Sequence, residues 1–295
     1  FFKKKNQKII KKKQKNYLSI NVNLRARIGH QLANYNSAIW YAKKFNLIHV
    51  HTPFPDIKWE KTLAFNLSPI SLKKLIKQGY KKIKLPKFNG KNSLEVSKIK
   101  KIIYSYYNQK VIFYLEEDQP WDLNHYKKQY GVSNILQKKF FLSPQRKKDK
   151  LIYEKKNFNI AVHIRMGDIL LNKKLLEQRY LNIDYFMNTI KNSLSVIKVK
   201  KKIKIYIFSE QYVKSFSKLK QFKNIQFCYN LDQYKTFLNF IYADLLIASK
   251  SAFSYMPALI SKGIKVCPQN FWISFPKNKN WILADSKGKF LRNKR

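Results

Sequence analysis

His163 and Arg165 stand two apart in the run NIAVHIRMGDIL (residues 159–170), with Asp168 three further on. Phe158, Ile160, Val162 and Ile164 alternate with them, so a strand would send the apolar residues one way and His163 and Arg165 the other. Met166-Gly167-Asp168 then turns the chain away. Ligand crevices of open α/β sheets lie beyond the carboxyl ends of strands, where these two residues fall. A guanidinium there keeps its charge and forks onto a diphosphate. Asp168 either orients Arg165 or caps the next segment. A structural Arg–Asp pair beside a core histidine explains the same spacing.

Two other stretches carry related chemistry. In IASKSAFS (247–254), Ser249, Ser251 and Ser254 lie where a strand gives way to a helix. Hydroxyls and open N–H groups there bind anions, and they also serve as ordinary helix caps. In ARIGHQ (26–31), Gly29 would let a ligand approach the backbone, with Arg27, His30 and Gln31 as donors. A turn glycine also needs no ligand at all.

These stretches need an α/β frame. YLSINVNLR (17–25) alternates, with Leu18, Ile20, Val22 and Leu24 on one face. Leu32, Tyr35, Ile39, Ala42 and Phe45 then recur at helical spacing, and LIHVH (47–51) reads as a second strand. SPISLKKLIKQGYKKI (68–83) reads as helical and KVIFYLE (110–116) as a strand. Further on, strands at FNIAVHIR, KIKIYIFSE, DLLIAS and IKVCP alternate with helices at YFMNTIKNSLSVI, TFLNFIYA and AFSYMPALISKG, the last closed at Gly263. That alternation predicts largely parallel sheets with right-handed crossovers. The chain divides into a basic arm (1–16), an N-terminal α/β domain (17–150) and a C-terminal Rossmann-like domain (151–295), with LSPQRKKDK (142–150) leading to the boundary.

Composition narrows the function. The 295 residues suit two domains and 45% are hydrophobic, enough for real cores. The formal charge of +45 points first to nucleic acid. Only 7 of the 61 basic residues are arginine, however, and lysine is used throughout. Base readout and bidentate phosphate contacts favour arginine, so a specific nucleic-acid partner is not expected. The basic surface suits peripheral association with anionic membranes. Two cysteines give neither a disulfide framework nor a zinc pattern, and no apolar run approaches 18 residues. A cytoplasmic location is expected, or a Golgi lumen if an anchor precedes Phe1. The sequon Asn66-Leu67-Ser68 is weak by itself.

Taken in order, the three stretches resemble the GDP-fucose-dependent fucosyltransferase superfamily. HIRMGD is similar to its His-x-Arg-x-x-Asp signature at His163, Arg165 and Asp168. ARIGHQLANYNSAIWYAKKFN is similar to its Gly-Arg-x-Gly-Asn-Gln turn and helix at Arg27, Gly29 and Gln31. DLLIASKSAFSYMPALIS resembles an α1,2-group segment at Ala248, Ser251, Phe253 and Ser254, and IDYFMNTI and PQNFW also fit that group. Met166 stands where the α1,2 enzymes usually carry a second arginine; Ala26, His30 and Tyr255-Met256 also depart from the pattern. The resemblance implies a GT-B arrangement of two Rossmann-like domains facing a cleft. It also implies inverting transfer of fucose from GDP-fucose to a hydroxyl of a glycan acceptor.

Roles follow from the charge that grows on the departing diphosphate, which something must stabilise. The chain has no Asp-x-Asp to hold a divalent ion. A cofactor-free, metal-independent site is therefore expected, with Arg165 on the diphosphate and His163 contacting the donor or fixing Arg165. Ser251 and Ser254 would hold phosphate or nucleotide, with Gly29, His30, Ser209 and Glu210 completing the donor site. Candidates for a base are Glu177, Glu116, Glu117 and Asp118. Ser209 could equally cap a helix. Asp232 and Asp244 could contact guanine or ribose or act structurally. Another nucleotide sugar remains an alternative donor.

Overall fold

The computed structural model describes residues 15–65, 70–90, 92–117, 123–269, 271, 275 and 279–291. The arm up to residue 14, the sequon, Asp118 and part of PQNFW lie outside them.

In chain order the first half contains β1 (Tyr17–Ile20), α1 (Ile28–Lys44), β2 (Ile48–His49), α2 (Ile57–Leu63), α3 (Leu72–Lys77), β3 (Lys81–Lys84), α4 (Ser93–Ser105), β4 (Val111–Leu115) and α5 (Leu123–Phe141). Its sheet runs β2-β1-β4-β3, all parallel. The second half holds β5 (Phe158–His163), α6 (Lys173–Arg179), α7 (Ile183–Val196), β6 (Ile203–Ser209), β7 (Ile225–Tyr229), α8 (Gln233–Tyr242), β8 (Leu245–Ile247), α9 (Ala252–Ile260), β9 (Ile264–Pro268) and β10 (Trp281–Ala284). These strands form a second parallel sheet, β10-β9-β8-β5-β6-β7.

Several elements differ from their sequence patterns for identifiable reasons. β1 stops at Ile20 and is buried on both faces, so the alternation over 18–24 was no guide to exposure. Parallel strands covered on both faces need no polar side. The helix expected over 68–83 ends by Gln78; Gly79 takes a φ of +85°, and Lys81–Lys84 pair with β4 instead. A left-handed glycine past a last turn is a helix stop. The helix expected to close at Gly263 is capped at Ser261 despite Pro257 in its interior. Gly263 serves packing: a Cβ there would fall 2.2 Å from the Ala243 carbonyl oxygen.

α1 lies between the two sheets. Ala38, Tyr41, Ala42 and Phe45 join the core of the first sheet. Ile28, Leu32, Tyr35 and Ile39 join a larger core with α5, α8 and α9 and the second sheet. The far face of that sheet buries Ile160, Val162 and Ile164 with Phe186 and Ile190 of α7. Near the expected boundary, Arg146 pairs with Asp149 at 3.1 Å, donates to the Thr62 carbonyl at 2.6 Å and stacks on Phe140 at 3.8 Å. Tyr242 donates to the same Asp149 carboxylate at 2.9 Å. Burial pushes the Asp149 carboxyl up and the Arg146 guanidinium down.

Candidate functional site

β5 begins the second half in mid-sheet; β6 lies on one side of it and β8 on the other. Successive connections therefore leave in opposite directions at its carboxyl end, which is where a crevice opens in such sheets. A cavity of about 590 Å³ lies there, within the usual size of small-molecule sites. His163 ends β5 and Arg165 lies just beyond it, Ser209 ends β6 and Glu210 follows it, Asn230 follows β7, and Ser251 follows β8. Arg27, Gly29 and His30 at the start of α1 complete the lining from the first half of the chain.

Arg165 is held from two sides. Nη2 donates to both Asp168 carboxylate oxygens at 3.0 Å, and Nη1 donates to Ser251 Oγ at 2.9 Å. The second contact ties β5 to the start of α9. Ser251 also caps α9, since its Oγ accepts from the Phe253 N–H at 3.2 Å. Capping and support of Arg165 thus coexist in one hydroxyl. Asp168 receives Arg27 as well, at 3.5 Å. The structural Arg–Asp pair is real, and it presents Arg165 to the cavity.

His163 is buried. Its Nδ1 lies 2.8 Å from Ser249 Oγ, and its ring packs against Phe240 and Phe253 at 5.2 and 5.8 Å. Burial first, and then Arg165, lower its pKa to about 3. It is a neutral imidazole at physiological pH, able to offer a hydrogen bond but no charge.

Gly29 acts through packing. It lies within the first turn of α1, where a Cβ would come 2.8 Å from Ala252 Cβ and 3.2 Å from the Phe253 nitrogen. Its absent side chain lets the amino ends of α1 and α9 meet. Each end carries a partial positive charge, so their convergence favours an anion.

Other expected residues take different places. Ser254 is fully buried, and its Oγ donates to the Ser249 and Ser251 carbonyls at 3.4 and 3.3 Å, stiffening the turn behind the pocket. Ser209 caps nothing; its buried Oγ lines the cavity without a hydrogen-bond partner among the described residues. Glu210 lines the cavity too, but one oxygen accepts from the Met166 N–H at 2.9 Å and braces the turn at Gly167, whose φ is +59°. Gln31 donates to the Ala26 carbonyl at 2.7 Å and holds the loop before α1. Glu177 is exposed on α6, away from the lining. Glu116 pairs with Lys84 at 2.8 Å, and neither it nor Glu117 reaches the cavity. Asp232 caps α8 and Asp244 accepts from the Asn159 N–H at 2.8 Å, both structural. Met166 is buried in the core behind the sheet.

Arg179, at the end of α6, lines the cavity and had no motif to announce it. A compositional signal was present nonetheless. Three of the seven arginines, Arg27, Arg165 and Arg179, surround this one cavity, and among the described residues none of the lysines does. Burial and the charge of Arg165 push the Arg179 guanidinium's pKa down, and burial, Arg179 and Arg165 do the same to His30. Among the described residues no group of three or more His, Cys, Asp or Glu could hold a metal ion.

Two parallel sheets with helices shared between them and a pocket at the switch point of the second make this a GT-B-type fold. The chain matches the crystal structure of POFUT1 in complex with GDP at a TM-score of 0.52 and 12% identity, covering 86% of this chain and 98% of that one. It matches POFUT1 in complex with GDP-fucose at a TM-score of 0.52 and 14% identity, over 84% and 96% of the two chains. Fucosyltransferase NodZ from Bradyrhizobium follows at a TM-score of 0.47, 11% identity and 85% and 94% coverage. No protein-family model and no curated protein matches the sequence.

Proposed function

We propose that the protein is a fucosyltransferase of the GDP-fucose-dependent superfamily, moving fucose from GDP-fucose to a sugar hydroxyl of a glycan with inversion. The observation that carries this reading is the Arg165 cradle. Asp168, three residues on, and Ser251, the cap of α9 some 86 residues away, hold one guanidinium against a cavity that the amino end of α1 also lines. The fold around it is shared with a protein solved in complex with GDP-fucose.

As the sugar–phosphate bond lengthens, negative charge gathers on the diphosphate. Arg165 is already oriented and reorganises little, which is how preorganised charge lowers a barrier. His163 contributes a neutral donor and Ser251 keeps the guanidinium in place. The carboxylates of the pocket, Asp168 and Glu210, both hold protein groups already. The reaction therefore leans on stabilising the leaving group, with the proton of the acceptor hydroxyl passing to the departing diphosphate, and Glu177 is dispensable. The leaning to an α1,2-like enzyme rests on the motif residues Ala248, Ser251, Phe253 and Ser254, and the acceptor follows from an array rather than from the donor pocket.

Turnover of GDP-fucose on a glycan array, with and without chelator, tests the reading. Arg165→Ala should abolish transfer while leaving the melting temperature within a few degrees of wild type. A folded Arg165→Ala protein that still turns over would sink the mechanism. Stabilisation by UDP rather than GDP in a thermal-shift series would overturn the donor, and loss of activity with chelator would overturn the metal-free step.

A further inference from the structure

The pocket holds more positive charge than its own carboxylates engage. Arg165 is bound by Asp168 and Ser251, and Arg27, with 77% of its side chain exposed, leans on the same Asp168. Arg179 differs from both. Among the described residues its side chain makes no ion pair or hydrogen bond, and its Nε is shielded from solvent with no acceptor.

A partly buried guanidinium without a partner costs free energy, and a second guanidinium nearby adds to that cost. Both effects act on Arg179, in that order of size, and the charge of Asp168, already engaged by Arg165 and Arg27, offsets them only in part. Folding alone does not favour such an arrangement; a bound anion does. One phosphate is accounted for by Arg165 together with the amino ends of α1 and α9. A separate cation on a different element, α6, calls for further anionic charge beyond that phosphate. Residue type sharpens the point. The chain uses lysine wherever a diffuse charge suffices, whereas position 179 carries the planar fork that binds two phosphate oxygens at once.

Building on the GDP reading of this pocket, we infer that Arg179 contacts the second phosphate of the donor and makes the site select nucleoside diphosphates over monophosphates.

Calorimetric titration of the full chain with GDP and GMP tests this in wild type, Arg179→Met and Arg179→Lys, alongside melting without ligand. Losing a charged, forked contact should weaken GDP by roughly 10- to 100-fold in Arg179→Met while changing GMP by less than about 3-fold. Arg179→Lys should recover only part of the loss. The unliganded Arg179→Met protein should melt at or above the wild-type temperature, because an unpartnered buried charge has been removed. Equal weakening of GDP and GMP, or none, overturns the assignment, and so does a lower melting temperature with an unchanged GDP-to-GMP ratio. If wild type binds neither nucleotide, the GDP reading fails on its own. Pyrophosphate against phosphate then decides the role of Arg179: a pyrophosphate preference lost in Arg179→Met upholds it, and an unchanged preference overturns it.

Discussion

Replacing Gly29 with alanine adds one methyl group at the place where two helix ends meet. The new Cβ would lie 2.8 Å from Ala252 Cβ, 3.0 Å from the Ala252 carbonyl carbon and 3.2 Å from the Phe253 nitrogen. Ordinary carbon contacts sit near 3.5–4.0 Å, so the start of α9 must retreat by roughly 0.7–1 Å. Overpacking of this kind costs about 1–3 kcal/mol. Alanine gains up to about 1 kcal/mol in helix propensity, so the net effect is a modest loss of stability. Function should suffer more. Ser251 caps α9 and holds Arg165 Nη1 at 2.9 Å, so the retreat pulls on the guanidinium directly. A displacement near 1 Å at a reacting centre can cost about 100-fold in rate. Gly29→Ala should thus lower the melting temperature by a few degrees and GDP-fucose turnover by roughly 10- to 100-fold. Adding Ala252→Gly removes the worst contact but leaves two backbone contacts tight, so the double variant should recover part of the activity. Wild-type turnover and melting in Gly29→Ala would refute the idea that this glycine sets the spacing of the helix ends.

Further tests follow from the same geometry. Ser251→Ala should cost about 1 kcal/mol of stability through the lost cap and weaken GDP binding further through the released Arg165, read by melting and calorimetry. His163 and His49 are both held neutral by burial, with pKa lowered to about 3. Each binds a proton more readily when unfolded, so their stability is fully present above about pH 6.5 and declines as pH falls towards 3. Melting from pH 7.5 to 4.5 should show a fall of up to about 1.4 kcal/mol per pH unit per histidine, and His49→Phe should flatten it. Asp149→Ala leaves Arg146 buried without its carboxylate and should cost about 3–5 kcal/mol in urea unfolding. Glu177→Gln should keep wild-type turnover; a large loss would return that residue to the chemistry.

The sequence made the strand under His163 and Arg165 legible because one face had to be apolar. It also made the serine turn and the glycine turn legible, since each involves residues with distinctive backbone needs. It was silent on how those turns are used. Gly29 read as room for a ligand because no one-dimensional pattern reveals that Ala252 lies against it. Ser254 read as a phosphate ligand because spacing cannot tell a hydroxyl facing the pocket from one facing the turn behind it. The lysine-rich composition hid β3, whose KKIK pattern favours no face. Arg179 escaped notice because its neighbours form no motif; scarcity of arginine was the available clue, and it points to the pocket only once the lining is known.

The placement of α1 has a kinetic consequence. Twelve of its 17 residues are buried, and they are divided between the cores of both sheets. Swinging the two halves apart would strip apolar surface from both sides of this helix at once, a costly motion on the timescale of turnover. On the proposed reading of the pocket, exchange of nucleotide is then more easily controlled by the short Gly167–Leu171 turn and α6, which pack on each other at the rim. Donor residence time should accordingly respond to changes in that small flap and be nearly indifferent to changes in the chain joining the two sheets.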